Sequence, residues 1–318
     1  MTLSHSRAVW LMVLVALLWS MAGVVSRHLD AARSFEVNFW RSSFTVLAML
    51  LALLALRGRA LWSDIRSGGW PLALSSLCWA VMFTNFMVAL MMTSVATVLI
   101  TLAISPLLTA LVARVVLHHR LPTRTWLAIG VAGLGIAWMF GRQAFTGSAS
   151  LAGALVALGV PIAAATNWTL LQALHQRHRR HGALAREGKT MPASAPDMLP
   201  AVMLGALLSA LLTLPLSWPF QASAHDLGLL ALLGVVQLAV PCLLVVKLSR
   251  VLPGPEISLI SLLEVVFGVL LAWVGAGEVP GPAALAGGTL VIGALLLNEG
   301  LALGERRRAR QPLPASPG

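Results

Sequence analysis

The carboxylate of Glu264 lies at the centre of an apolar segment, residues 255–275. An ionised carboxylate is costly in hydrocarbon unless it has a partner, a cavity or a function. Such a group is suited to take up and release a proton, so we predict that Glu264 couples to a proton or senses a substrate. The alternative is a structural carboxylate satisfied by helix-end donors or by an arginine. Ser261 and Ser258 precede Glu264 by three and six residues, and Ser261 joins it in the candidate site.

Polar and tryptophan side chains also occur at mid-depth in four other apolar segments. Asn and Gln offer both a donor and an acceptor, and Trp adds a flat wall with one N–H. An apolar pocket with a few convergent polar groups is the ordinary form of a ligand site, so we predict that these side chains line one. For each of them, packing or hydrogen bonding between helices is the alternative. The residues are Trp19, Ser20, Trp79, Met82, Asn85, Asn167, Trp168 and Gln237.

Hydroxyl side chains recur at every fourth residue along the segment that ends at residue 117. This spacing keeps them on one slowly drifting helix face, which suits either the lining of a wet cavity or the close packing of a neighbouring helix. Pro106 lacks an N–H and frees a carbonyl that a cavity could use. The residues are Thr93, Thr97, Thr101, Ser105 and Thr109, of which Thr101 and Ser105 join the pocket candidates.

Four further residues in apolar segments receive structural interpretations. Arg41 is predicted to snorkel or to tie helices together rather than to bind substrate, and Arg114 to snorkel. Cys78 and Cys242 are interpreted as small buried hydrophobes rather than as a disulfide or a metal site. No catalytic residue, metal site or cofactor is predicted.

The segments that position these side chains are long and apolar. The chain of 318 residues is 58% hydrophobic and 10% charged, and its mean hydropathy is +0.87, so lipid rather than water is its main solvent. A spanning helix needs about 20 apolar residues. We predict an all-α membrane protein with ten transmembrane helices, at residues 8–26, 36–56, 71–92, 95–117, 125–141, 151–174, 198–218, 227–247, 255–275 and 282–302.

The distribution of positive charge predicts the orientation of these spans. With a cytoplasmic N-terminus, seventeen Lys and Arg residues fall on the cytoplasmic side and three, Arg27, Arg33 and Arg142, on the other. Cytoplasmic loops carry an excess of Lys and Arg, so both termini are predicted to lie in the cytoplasm of a bacterial cell whose inner membrane holds the chain. This segregation also favours an even number of helices.

The chain resembles itself at an offset of about 159 residues. The segment 105–113, followed by 119–122, parallels 264–272, followed by 278–281. Because each half has five spans, the two repeats must face opposite ways, an arrangement that supports alternating access to a midplane site. The predicted units are the first repeat at 1–145, the second repeat at 146–305 and a basic cytoplasmic tail at 306–318.

The chain lacks the motifs of nucleic-acid-binding proteins, of nucleotide hydrolases and of intramembrane enzymes. The formal charge of +11 comes without the interleaved basic and aromatic strip of single-strand binders, so no nucleic-acid partner is predicted. Gly182–Thr190 resembles a phosphate-binding loop, but five residues separate its glycines where four are needed, and a flexible basic linker is the better interpretation. H-E-x-x-H and G-x-S-x-G are absent, so an intramembrane enzyme is only an alternative, as is a non-transporting sensor or assembly subunit.

Several short motifs together suggest a family. They are Arg41 in the second span, Ala89-Leu90 with the small residues Thr93–Thr97, Ser105-Pro106, Gly153, Leu263-Glu264 and Gly277-Glu278. In these features the chain resembles the EamA-type branch of the drug/metabolite transporter superfamily, over roughly residues 8–302. Two positions depart from that family's pattern, since Val265 stands where a proline is usual and His119 where a glutamate is usual.

The resemblance implies ten helices in two inverted five-helix repeats and a transport function. Members move amino acids, metabolites, cations or drugs, so it implies a small-molecule substrate without naming one. We therefore predict a secondary-active transporter, an exporter by family resemblance, with the bilayer as its environment and a proton as the candidate coupling ion. The sequence predicts no oligomeric state.

Overall fold

A computed structural model describes residues 4–32, 34–117, 150–186, 198–248 and 263–282, together with short stretches between 123 and 138 and between 251 and 301. All regular structure in these residues is helical, as predicted. The helices are α1 (His5–Ser26), α2 (Ser34–Arg57), α3 (Ala60–Ser67), α4 (Gly69–Met92), α5 (Val95–Leu102), α6 (Ser105–Leu117), α7 (Ser150–Arg186), α8 (Leu199–Ser217), α9 (Ala224–Leu232), a π-helix (Leu233–Ala239), α10 (Val240–Leu248) and α11 (Leu263–Ala276).

Seven helical segments of the described chain are long and apolar enough to cross a membrane. In this count α5 and α6 form one segment, Val95–Val116, and α9, the π-helix and α10 form another, Ala224–Leu248. The predicted ninth and tenth spans correspond to shorter apolar helices, Leu263–Ala276 and Leu285–Ala294, and most of the predicted fifth span lies outside the described residues. The chain is a multi-pass membrane protein, and the number ten stays a prediction.

Large apolar side chains cover the outside of the bundle. Leu51 on α2 is 60% exposed, Leu212 on α8 is 62% exposed and Val274 on α11 is 85% exposed. Soluble monomers rarely expose contiguous apolar surface, whereas lipid solvates such side chains as well as a protein core does. These exposed faces therefore fit contact with lipid tails.

The turn between the predicted third and fourth spans lies at Thr93–Ser94, where the sequence has no charge, glycine or proline. Ser94 is the N-cap of α5, and its hydroxyl oxygen accepts the backbone N–H of Thr97 at 3.2 Å. A serine N-cap satisfies one of the donors that a helix start leaves unpaired. The cap explains why α4 ends at Met92 and a new helix begins at Val95.

Four elements differ from the predicted spans. The short helix α3 occupies a predicted loop, and α7 continues to Arg186, past the predicted end at residue 174, so part of the expected flexible linker is helical. The fourth span is broken at Ala103–Ile104, because Pro106 cannot donate to the carbonyl of Leu102. The eighth span contains the π-helix Leu233–Ala239, a feature that occurs frequently at functional sites.

The helices of the two predicted repeats are packed against one another. From the first repeat, α4 packs on α7 and α8, α2 packs on α8 and the π-helix, and α1 packs on α10 and α11. A buried polar group joins three of these helices at Ser209 on α8. Its hydroxyl is bonded to Asn38 at 2.8 Å, to Ser42 at 3.2 Å and to Thr84 at 2.8 Å. Polar side chains of this kind hold membrane helices together.

The contact between α2 and the π-helix depends on Gly234. The hydroxyl of Thr45 on α2 donates to the carbonyl of Gly234 at 3.0 Å. A Cβ at Gly234 would lie 2.6 Å from the carbonyl oxygen of Arg41 and 2.7 Å from the Cβ of Phe44. Both are fixed parts of α2, so a side chain at this position would push the helices apart.

Gly234→Ala is expected to destabilise the purified protein, because overpacking against backbone costs about 1–3 kcal/mol. The matched control is Gly228→Ala on the same span, where no described atom lies within 4 Å of the added Cβ. Replacing a helical glycine with alanine at such an open site stabilises by up to about 1 kcal/mol. Thermal unfolding in detergent measures both variants, and equal melting temperatures would argue against the close approach.

Candidate functional site

The guanidinium of Arg41 is buried between helices. Arg41 lies two turns into α2, only 1% of its surface is exposed, and its backbone is held against Gly234. The rings of Phe83 and Phe86 on α4 lie 6.0 and 5.8 Å from its Cζ atom, within the range of cation–π attraction. Within the described residues, its Nε and Nη1 atoms have no hydrogen-bond partner.

Of the two predicted roles of Arg41, snorkelling is therefore wrong, whereas tying helices together is compatible with its position. A snorkelling arginine brings its charged head to water, whereas this head is enclosed by α2, α4 and the span that contains the π-helix. The sequence contained one signal that could have identified this residue, namely that Arg41 follows the start of the predicted span 36–56 by five residues and so lies more than one turn inside it.

Two of the predicted pocket residues, Trp19 and Gln237, are in direct contact. The Nε2 atom of Gln237 in the π-helix donates to the carbonyl of Trp19 on α1 at 3.1 Å. Gln237 is 2% exposed, and its Oε1 atom has no partner among the described residues. This group joins α1 to the predicted eighth span beside Arg41.

Three more predicted pocket residues meet between α4 and α7. The rings of Trp79 and Trp168 lie edge to face, with their centroids 6.1 Å apart. The hydroxyl of Ser75 donates to Oδ1 of Asn167 at 2.6 Å, and the Nδ2 atom of this buried asparagine has no described partner. Trp168 also packs against the small apolar cluster that Trp19 borders. Asn167 thus has an unused donor at the contact between α4 and α7.

The remaining hydroxyl and amide candidates are engaged in hydrogen bonds with backbone carbonyls. Asn85 donates to the carbonyl of Val156 at 3.2 Å, which ties α4 to α7. The other hydroxyls serve their own helices: Ser20 donates to Leu17, Thr101 to Thr97 and Ser261 to Ile257, at 2.6, 2.7 and 2.8 Å, and the carbonyl of Ser105 accepts from Thr109 at 2.8 Å. Thr97 and Thr101 are buried, so this part of the hydroxyl stripe faces protein.

The carboxylate of Glu264 lies in the first turn of α11 and is half-buried. Within the described part of the chain, neither an arginine nor a helix-end donor is bonded to it. Ser258, which the sequence placed on the adjoining face, lies outside the described residues. Glu264 is thus a carboxylate on a membrane helix whose described surroundings supply no counter-charge.

An ion pair that the sequence analysis did not anticipate closes one end of the bundle. Arg27, which follows α1, donates to Glu278 at 2.9 Å and to the carbonyls of Leu90 and Thr93 at 2.8 Å each. The second carboxylate oxygen of Glu278 accepts the N–H of Val95 at 2.7 Å. We call these five residues the Arg27 clamp. The clamp ties α1, α4 and α5 of the predicted first repeat to the end of α11 in the second.

A second polar group at this end holds two loops together. The carboxylate of Asp226 accepts backbone N–H groups from Asp30 at 2.8 Å, Ala31 at 3.0 Å, Ala32 at 3.1 Å and Ser223 at 3.2 Å. His225 contacts the carboxylate of Asp30 at 3.1 Å. Because four donors occupy Asp226, this cluster is a structural link between the α1–α2 connection and the start of α9.

An apolar groove of about 350 Å³ lies elsewhere, between residues of the predicted fifth and tenth spans. It is lined by Leu127, Ala128, Val131, Thr289, Leu290, Gly293, Ala294, Leu297 and Leu301. None of the predicted pocket residues belongs to this lining. The groove and the polar centre around Arg41 are therefore separate features.

Comparison with known proteins places the chain in a family. A sequence model of the EamA-like transporter family matches residues 6–141 and 181–299, which together make up most of the chain. The chain belongs to the EamA-like transporter family. The resemblance seen in the sequence is thus confirmed for this EamA-like chain, in both predicted repeats.

A solved crystal structure, described only as that of a protein, shares the fold of this EamA-like chain. It is 18% identical, with a TM-score of 0.61, and the match covers 97% of this chain and 100% of that one. At this level of identity the likeness shows the fold alone. No curated protein matches the chain.

Proposed function

We propose that this EamA-like protein is a secondary-active transporter of a small metabolite, amino acid or drug, and that it exports its substrate across a bacterial inner membrane. The two repeats, 1–145 and 146–305, are oppositely oriented and alternate access to a site between them, with both termini and the basic tail 306–318 in the cytoplasm. The chain is not an enzyme in this proposal and needs no cofactor.

The observation that supports the proposal most strongly is a set of buried, unpaired polar atoms between helices of both repeats. They belong to Arg41, Asn167 and Gln237. A buried polar atom without a partner costs about 1–3 kcal/mol, and such groups within a bilayer mark substrate and ion pathways. In a family of transporters, these atoms are the natural contacts for a solute.

Alternating access requires that each side of the central site be closed in turn. The Arg27 clamp spans both repeats at the end of the bundle that we propose faces outward. Its charge-assisted hydrogen bonds are of the strong kind, so we propose that the clamp is the outer gate. Glu264 is the proposed proton site, because its carboxylate is half-buried on a membrane helix without a described counter-charge.

The proposed function is tested by a growth screen of overexpressing cells against amino acids and toxic metabolites, followed by efflux of each hit from proteoliposomes. Export predicts resistance to at least one compound and release of the same labelled compound from loaded vesicles, at a rate that protein-free vesicles do not reach. A protein that binds a hit but moves none of it would favour the sensor alternative. Chemical conversion of the hit would favour the enzyme.

A further inference from the structure

The charge of Arg41 lacks a counter-charge in the described structure. A guanidinium stays protonated in proteins, and a buried charge without a partner carries a large desolvation penalty. The Nε and Nη1 atoms have no described acceptor. The two Phe rings attract the cation through their faces, but they accept no in-plane N–H bond. Two donor atoms of the buried guanidinium therefore have no acceptor within the described structure.

The carboxylates with described side chains are engaged elsewhere or are not bonded to Arg41. Glu36 accepts the N–H groups of Gln221 and Ala222 at 2.8 to 3.0 Å. The others pair as follows: Asp64 with Arg57, Glu278 with Arg27, Asp30 with His225, and Asp226 with backbone donors, while Glu264 shows no contact with Arg41 among the described residues. Within the described chain, no carboxylate supplies the missing anion.

We propose that Arg41 anchors the carboxylate of a transported solute with an apolar body. A carboxylate offers two acceptor oxygens and binds a guanidinium through paired charge-assisted bonds. Phe83 and Phe86 provide an apolar wall beside the charge, which suits an apolar or aromatic body. This inference rests on the proposed transport function and adds the chemical class of the substrate and the residue that recognises it.

Two unpaired acceptors lie on the helices that surround Arg41. The Oδ1 atom of Asn38, one turn before Arg41 on α2, has no described partner, and neither has Oε1 of Gln237 in the π-helix packed on α2. An amide oxygen accepts hydrogen bonds and attracts no anion. These atoms therefore favour a ligand with a single carboxylate at Arg41 and a neutral or donor-bearing remainder.

Benzoate is the probe for this site, benzamide is its neutral counterpart, and chloride is the inorganic anion. Binding to the purified full-length protein is measured by titration calorimetry at constant ionic strength, with Arg41→Gln, Arg41→Lys and the exposed-site control Arg59→Gln. We expect benzoate to bind the wild type and the control alike, benzamide to bind at least about 30-fold more weakly, and Arg41→Gln to lose about 30-fold or more in benzoate affinity. Arg41→Lys keeps the positive charge but loses the planar guanidinium that can make two parallel hydrogen bonds. Its benzoate affinity is expected to lie between those of the wild type and Arg41→Gln.

Equal affinities of the wild type for benzoate and benzamide would overturn the proposal, as would chloride binding as tightly as benzoate or no benzoate binding at all. If Arg41→Gln fails to fold, two measurements still test the proposal: the difference between the benzoate and benzamide affinities of the wild type, and the benzoate affinity of Arg41→Lys. The assay needs no gradient, so it separates two failures. If the protein binds benzoate but transports no solute, the proposed transport function is wrong. If it transports a compound from the screen but does not bind benzoate, only the proposed carboxylate site at Arg41 is wrong.

Discussion

Arg27→Gln is expected to raise the rate at which a thiol placed at position 20 is labelled from outside the cell by about tenfold. Ser20 is 2% exposed and lies two turns before Arg27 on α1. If the Arg27 clamp is the outer gate, as we propose, this position is reached from outside only when the clamp opens. A hydrogen bond to a charged group contributes about 1.5–3 kcal/mol, and 1.4 kcal/mol changes a population tenfold. The measurement is labelling of Ser20→Cys by a membrane-impermeant thiosulfonate in a Cys78→Ala, Cys242→Ser background.

The matched control for the clamp is Arg57→Gln. Arg57 pairs with Asp64 at 2.6 Å, and the exposed fractions of these side chains, 31% and 27%, resemble the 27% and 20% of Arg27 and Glu278. That pair joins α2 to α3 within the predicted first repeat, so its loss should leave the proposed outer gate intact. Glu278→Gln should match Arg27→Gln, and the double variant should add little. Unchanged labelling in Arg27→Gln would remove the clamp from the gating mechanism.

The membrane helices were largely predictable because lipid solvation depends on composition summed over about 20 residues. The predicted spans 8–26, 36–56 and 198–218 correspond to α1, α2 and α8, each within three residues at either end. The same window says nothing about how far a helix continues beyond the bilayer. For that reason α7 runs on to Arg186 through residues that favour helix in water.

Changes of helix geometry depend on neighbours, which hydropathy does not contain. The π-helix at Leu233–Ala239 packs on α2 where Gly234 meets the backbone of Arg41, and no periodicity in the apolar run marks it. The break at Ala103–Ile104 had a local cause in Pro106. The sequence analysis uses this proline only to predict a free carbonyl for a cavity, whereas in the structure the missing N–H interrupts the helix.

The functional side chains were harder to predict than the helices. Arg27 and Glu278 are 251 residues apart, and no local pattern pairs two loop residues over that distance. Arg41 and Arg114 both received a snorkelling interpretation, yet Arg41 is buried and Arg114 is exposed. The difference arises because Phe83 and Phe86 of α4 cover Arg41, and such tertiary packing is not visible in the local sequence. The contacts of Trp19 with Gln237 and of Trp79 with Trp168 are of the interhelical kind that the sequence analysis gave as the alternative to a pocket, and the pocket itself stays a prediction.

Glu264→Gln is expected to reduce proton-driven accumulation of solute at least about tenfold, because coupling between two binding sites is typically a 5- to 150-fold effect. The amide keeps the size and the hydrogen-bonding capacity of the side chain but cannot exchange a proton. Equilibrium exchange of solute across the membrane needs no net proton movement, so it should stay near the wild-type rate. The pH dependence of net transport should flatten at the same time.

Ser261→Ala is the matched control for Glu264→Gln, since it removes a polar group one turn earlier on the same predicted span. The hydroxyl of Ser261 is bonded to the carbonyl of Ile257 at 2.8 Å, so its loss should leave both the rate and the pH profile of transport unchanged. Inverted membrane vesicles with an imposed pH gradient give net transport, and counterflow gives exchange in the same preparation. A Glu264→Gln protein with the wild-type rate and pH profile would show that the proton is carried elsewhere. Loss of counterflow as well as net transport would instead assign Glu264 to solute binding, because a pure coupling site leaves exchange intact.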